Sequence, residues 1–234
     1  MSIWGKLGAA ELLVAGPIGA LLGQRAAIEV PDKKREPMEN DVAFTVGVIA
    51  LAAKMAKADG VVTKDEVKAF KTAFKVSDAE MKQAARAFNL AKQNVAGYED
   101  CAEQLVIVFK GNRKILEDVL EGLFHIAKAD AALHPHEEEF LGQVAKRFGL
   151  ADIEFDTIRA RHVVAGKRDP YEVLGLTPSA SDAELERHYR SLLAENRPDE
   201  LIARGVPAEF IAIANEKVAA FTEAFKAIAK QRGI

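Results

Sequence analysis
A four-residue phrase, Ala56-Lys57-Ala58-Asp59, returns as Ala127-Lys128-Ala129-Asp130, and this repeat narrows the folds open to the chain. Each copy closes an apolar helical stretch. An apolar residue follows three positions after the aspartate (Val62, Leu133) and a glutamate seven after it (Glu66, Glu137). Phe74-Lys75-Val76 is matched later by Phe148-Gly149-Leu150, which extends the likeness. Helix, acidic loop, helix, stated twice, predicts two helix pairs packed into one bundle. The stretches around them keep helical spacing: Phe44, Val48, Leu51, Ala52 and Met55; Phe70 and Phe74; Met81, Ala84, Ala85 and Phe88; Leu116, Leu120, Leu123, Phe124 and Ala127. Gly97 and Gly111 mark the breaks between helices in the middle. Abundant alanine, lysine and glutamate agree with an all-α fold.

The last quarter follows the same logic at smaller scale. Asp169-Pro170-Tyr171-Glu172-Val173-Leu174 predicts one short helix, stopped at Gly175. Ser181 and Glu184 form a capping-box pattern that opens a second helix with Leu185, Tyr189 and Leu192 on one face. That helix ends near Asn196, because Arg197 precedes a proline and is driven from helical geometry. Arg197-Pro198-Asp199 then begins a loop. Pro207 opens a third helix whose stripe of Phe210, Ala214, Val218, Phe221, Phe225 and Ile228 is suited to antiparallel packing on the second.

Several function classes are disfavoured. A net charge of -3 signals neither a nucleic-acid-binding surface nor an acidic tail. The single cysteine, Cys101, excludes an intrachain disulfide, points to a reducing compartment and weighs against a thiolate zinc site. It lies on the apolar side of a helix and reads as core. No phosphate-cradling glycine loop, nucleophile elbow or His-Glu-x-x-His helix is present, so the chain reads as a non-enzyme with no catalytic residue. His125, between Phe124 and Ile126, reads as a packed histidine, while His162 and His188 show no partner in the sequence.

Residues 1–30 hold an apolar, glycine-studded run from Leu12 to Gly23 broken by Pro17, with Lys6 and Glu11 before it. The uninterrupted part falls short of the roughly 20 residues that span a bilayer. Three readings stay open: docking on the protein's own helices or on a second copy, the latter making a homo-oligomer; association with a membrane through Trp4 and the small-residue surface; or disorder. Residues 31–40 read as a charged linker whose Lys33, Lys34 and Arg35 suit anionic lipid.

Asp169-Pro170-Tyr171-Glu172-Val173-Leu174-Gly175, Tyr189-Arg190-Ser191-Leu192 and Thr222-Glu223-Ala224-Phe225-Lys226-Ala227-Ile228 together resemble the J domain of the DnaJ co-chaperone family over 169–234. The resemblance implies a partner of DnaK type, met by Arg187, Tyr189, Arg190, Arg197, Pro198 and Asp199. Asp199 would be the critical acceptor, with Pro198 holding the loop's shape. The sequence departs from the family at Arg197, where the signature loop has histidine. Glu184 and Glu186 also stand where they can pair with Arg187 and Arg190. A regulatory J-like protein that docks without stimulating hydrolysis is therefore a second form of the same expectation.

The paired half-motifs of 41–164 resemble the TerB family of tellurite-resistance-associated domains. That resemblance implies acidic loops able to take a divalent metal, with Asp59, Glu66, Asp130 and Glu137 as the matching residues and no other cofactor. Capping competes as an explanation: Thr63 and His134 occupy N-cap positions, with Pro135 at the first helical position and Glu137 and Glu138 facing the helix dipole. The expectation is an all-α protein, a TerB-like bundle joined through Gly166-Lys167-Arg168 to a J-like hairpin. It would act as a co-chaperone or J-like adaptor, in the cytoplasm, peripheral to the inner membrane or anchored in it. The alternative is an ion-responsive stress scaffold acting through the bundle's acidic loops.

Overall fold
A computed structural model describes residues 37–234 apart from 60–63, 78–80, 94–96, 129–132 and 163–167. The readings of the N-terminal 30 residues, of Lys33, Lys34 and Arg35, of Thr63 and of the Gly166-Lys167 link lie outside the described residues. Those residues form helices α1 (Pro37–Asp59), α2 (Lys64–Ala73), α3 (Met81–Gln93), α4 (Tyr98–Val108), α5 (Arg113–Ala127), α6 (Pro135–Arg147) and α7 (Asp152–His162). The chain continues through α8 (Pro170–Leu174), α9 (Asp182–Glu195), α10 (Pro198–Arg204), a 3-10 turn (Ala208–Phe210) and α11 (Ile211–Arg232). No strand occurs among the described residues, and the all-α expectation holds.

α1 is the axis of the bundle, touching α3, α4, α5 and α6. Its apolar residues run on every side from Val42 to Ala56, as befits a helix covered all round. The predicted face of Phe44, Val48, Leu51, Ala52 and Met55 is therefore only part of what α1 buries. Even Thr45 is fully covered, and its hydroxyl donates back to the Asp41 carbonyl at 3.0 Å. α4 and α5 meet at the expected break, where Gly111 takes a left-handed φ of 68°. Cys101 is buried and unpaired, and burial pushes its thiol up to about 11. A group held so firmly protonated has no thiolate chemistry at neutral pH.

The second helix of the C-terminal region behaves as its capping pattern predicts. The Ser181 hydroxyl accepts from the Glu184 amide at 3.3 Å, while the Glu184 carboxylate accepts from the Ser181 amide at 2.8 Å. Gly175 stops α8 in left-handed geometry, and α9 ends at Glu195 beside the buried Asn196. Tyr171, Val173, Leu174, Leu185, Phe221, Ala224 and Ile228 make a compact core between α8, α9 and α11. Arg232 closes its open end: its guanidinium donates to the carbonyls of Pro178 and Ala180, to Asp182 and to the Tyr171 hydroxyl.

The predicted loop after Asp199 is instead a helix, α10, with Pro198 at its first position and Gly205 as a left-handed cap at φ 101°. The buried Leu201 explains the difference, since this segment has an apolar face to cover. What covers it is the first bundle. Leu201, Val206, Phe210, Ile213 and Ala214 belong to the same core as Phe44, Phe74 and Leu116. The Phe210 ring stands edge-on to Phe44 at 4.8 Å and to Phe74 at 4.7 Å. Gly122 of α5 makes room for it, because a Cβ there would lie 2.5 Å from Phe210 Cε1. The expected stripe of the third helix is thus divided. Phe210 and Ala214 serve the bundle, whereas Phe221 and Ile228 serve the hairpin.

Truncation of Phe210 to alanine should cost about 3–5 kcal/mol, as for other fully buried aromatics. Gly122→Ala should cost about 1–3 kcal/mol by overpacking against the same ring. Urea denaturation followed by circular dichroism measures both. A cost below about 1 kcal/mol for Phe210→Ala would separate residues 201–214 from the bundle core.

Candidate functional site
The tip of the C-terminal hairpin lies between the end of α9 and the start of α10. Proline fixes the backbone of residue 198, and Arg197 is extended at φ -66°, ψ 144° as its pre-proline position requires. Arg197 and Asp199 are both largely exposed, and the Arg197 guanidinium donates to the Asp199 carboxylate at 3.0 Å. The two side chains that would meet a partner are therefore paired with each other across the proline. Arg187 and Arg190 are also exposed, and Arg190 donates to Glu186 at 2.5 Å one turn earlier. The anticipated pairing along α9 is present for Arg190.

Tyr189, expected both on the apolar face with Leu185 and Leu192 and among the residues that meet a partner, packs on the apolar face and stays partly exposed. Its ring stacks on Phe225 at 4.3 Å, and its hydroxyl lies 3.2 Å from the Thr222 hydroxyl. The 3.6-residue period turns position 189 toward α11, so its role in the structure is to hold α9 from behind.

Behind the tip, the bundle and hairpin meet through buried charge. Glu121 on α5 is 2% exposed, and its carboxylate accepts from Arg161 at 2.5 Å and from His162 at 2.7 Å. Lys217 of α11 lies 3.7 Å away. Burial by itself would raise the Glu121 pKa, but Lys217, Arg161 and His162 hold it well below the ordinary carboxylate range. The Arg161 side chain also spreads over the Phe221 ring at 4.9 Å, joining α7 to the hairpin core. One turn earlier, Asp118 accepts from Arg204 at 2.8 and 3.1 Å and pairs with Lys217 at 3.4 Å. His125 approaches Glu216 of α11 at 3.4 Å from the next turn of α5.

His162 and His188, read from sequence as unpartnered, both have partners. His162 meets Glu121 and stacks on Phe124 at 4.9 Å, while His188 Nε2 donates to the Leu174 carbonyl at 2.8 Å. Both contacts join separate helices, so linear spacing held no trace of them. Because an ionised Glu121 only accepts, His162 carries its proton on Nε2, leaving a buried Nδ1 with no hydrogen-bond partner.

The four acidic loop residues are not seen together. The side chains of Asp59 and Glu66, and the whole of Asp130, lie outside the described residues. Glu137 is buried, and its carboxylate accepts from the His134 amide at 2.9 Å, one half of a capping box. His134 is the N-cap of α6 and Pro135 its first residue, as expected. No group of three or more metal-ligating side chains occurs among the described residues. None of their helices is long and apolar enough to cross a membrane.

Residues 45–160 match the family model of tellurite resistance protein TerB. Over most of its length the chain is similar to proteins named co-chaperone protein DjlA. The Vibrio cholerae relative is 29% identical over 231 residues, which cover 84% of this chain and 80% of the relative. That of Photobacterium profundum is 28% identical over 224 residues, 83% of this chain and 80% of the relative. That of Coxiella burnetii is 24% identical over 255 residues, 95% of this chain and 94% of the relative. No solved structure matches the chain.

The buried cluster makes stability depend on pH in two steps. Burial lowers the pKa of His162 below 6.5 despite the neighbouring Glu121. The unfolded chain therefore takes up that proton first, and stability falls as pH drops below 6.5. Glu121, depressed from 4.5, contributes stability that is lost as pH falls further below that value. His162→Gln should reduce the first limb of a melting-temperature profile between pH 7 and 5, leaving the share of His125, which burial also lowers, and keeping the second limb. An unchanged first limb would remove His162 from this account.

Proposed function
We propose that the chain, matched over residues 45–160 by the TerB family model and similar over most of its length to proteins named co-chaperone protein DjlA, works as a J-type co-chaperone or J-like regulator of a DnaK-type chaperone. The observation that carries the reading is the exposed Arg197-Pro198-Asp199 tip, set on a helical hairpin and presented away from both cores. The docking face is the outer side of α9 with this tip: Arg187, Arg190, Arg197, Pro198 and Asp199, with Tyr189 bracing the helix from the inner side. Asp199 supplies the acceptor for a cationic group of the partner. Its bond to Arg197 must open for that, which makes the arginine a competitor for the same carboxylate. A histidine would be mostly neutral near pH 7, whereas arginine keeps its charge. Docking is accordingly weaker than with histidine at that position, and it is a property of the tip, not of an active site.

The bundle and the N-terminal segment supply location or client choice in this reading. Single-turnover ATP hydrolysis by the cognate DnaK-type chaperone tests it, with the wild type, Asp199→Asn and Arg197→His. Expected is a modest acceleration by the wild type, its loss in Asp199→Asn, and a rise of a few-fold in Arg197→His, the scale of freeing one exposed ion pair. Inertness of all three would overturn the proposal.

A further inference from the structure
The hairpin tip is tied to the bundle by a fixed set of bonds. Arg204, the last residue of α10, reaches back with Nη1 to the Glu195 carbonyl at 3.3 Å, at the end of α9. Its Nε and Nη2 grip Asp118 Oδ2 at 3.1 and 2.8 Å. One guanidinium thus spans the helix before the Arg-Pro-Asp turn, the helix after it, and α5 of the bundle. Such a fork suits arginine, whose planar donors hold two acceptors in a set direction. Asp118 is 8% exposed and is itself held by Lys217 at 3.4 Å. A second tie runs from Lys114 of α5 to Glu195 at 2.9 Å. Burial works to raise the Glu195 pKa, yet the bonds from Lys114 and Ser191 hold that carboxyl below its usual range. Beneath the turn, Leu201 and Val206 sit in the bundle core. Among the described residues, the hairpin's own core draws on α7, α8, α9 and α11 and not on α10.

We propose that Asp118, acting through Arg204, is a positioning residue for the Arg197-Pro198-Asp199 tip, so that the bundle sets the geometry offered to the chaperone. The inference rests on the co-chaperone reading for its functional consequence and on the Arg204 bonds for its structural one. Loss of the Asp118 charge releases Arg204, and α10 then keeps its apolar anchor but loses the bond that fixes the turn's direction. Anything that shifts α5 would reach the tip by the same route.

The test uses the full chain and two readouts. Hydrogen exchange by mass spectrometry, on the wild type, Asp118→Asn and Arg204→Gln, follows peptides over 197–206 against peptides in α1 and over 171–174. Calorimetry with the cognate DnaK-type chaperone gives affinity, with Asp199→Asn as the control that should lose binding without changing exchange. Expected for both tip variants is exchange faster by about tenfold over 197–206 alone, with affinity reduced by a similar factor, the scale of one lost charge-assisted bond. A uniform rise across α1 and the hairpin would make Asp118 a general stabiliser and overturn the proposal, as would unchanged affinity where the wild type binds. If Asp118→Asn does not fold, Arg204→Gln breaks the same bond while Lys217 still faces Asp118. If no chaperone binds the wild type, the co-chaperone reading fails, while the exchange data still decide whether Asp118 governs the tip.

Discussion

The ring of Phe210, edge-on to both Phe44 and Phe74, is the contact on which the placement of the C-terminal quarter depends. It joins the chain's first described helix to a turn far along the sequence, and the entropy of closing so long a loop must be offset by burial. Aromatic edge-to-face pairs add about 0.5–1.5 kcal/mol each beyond the area they bury. Gly122 leaves the space, and Leu201, Val206, Ile213 and Ala214 seal the surroundings. Without this insertion, α10 would have an apolar face with nothing to cover it. With it, α11 spans two cores, its start in the bundle and its middle in the hairpin.

Around that apolar contact the two cores meet through charge. Burying Glu121, Asp118, Arg161 and Lys217 is costly, and such pairs rarely stabilise more than apolar side chains would. Their value here lies in direction. An apolar interface tolerates rotation, but Arg204 meets Asp118 and Arg161 meets Glu121 in one orientation only. The cluster therefore fixes the angle at which the hairpin leaves the bundle, and so the direction in which its tip points. His162 stays neutral inside the cluster because a further positive charge beside Arg161 would have to be buried as well.

At the tip itself the physics is that of an exposed surface. The Arg197–Asp199 pair is solvated on both sides, and pairs of that kind contribute little to stability. In the proposed docking its effect would be on recognition, because it occupies the carboxylate that a partner would use. Replacing a titrating imidazole by a permanent guanidinium makes the tip's charge insensitive to pH near neutrality, while the buried histidines behind it remain the groups that respond.

Local signals in the sequence determined most of the secondary structure. Pro170 and Gly175 bound α8, Ser181 and Glu184 cap α9, Pro198 ends it, His134 and Pro135 begin α6, and Gly111 separates α4 from α5. These rules act over three or four residues, so reading along the chain suffices. The Arg-Pro-Asp tip was legible for the same reason, down to the exposure of Arg197 and Asp199. Helix α10 was missed because its proline start looked like a loop, and its one deeply buried residue, Leu201, shows no periodicity in seven positions. The inward face of Tyr189 was legible from its spacing with Leu185 and Leu192, but that it stacks on Phe225 was not, because an aromatic ring on an amphipathic helix carries no label for which neighbour it meets. Sequence by itself settled which segments are helical and where they stop. Tertiary structure alone decided that the stripe from Phe210 to Ile228 serves two cores, and that Glu121 and Asp118 bind residues 40 and 86 positions away. Capping and periodicity are fixed by neighbours in the chain, whereas pairing of buried charge and division of a core are fixed only when distant helices exclude water together.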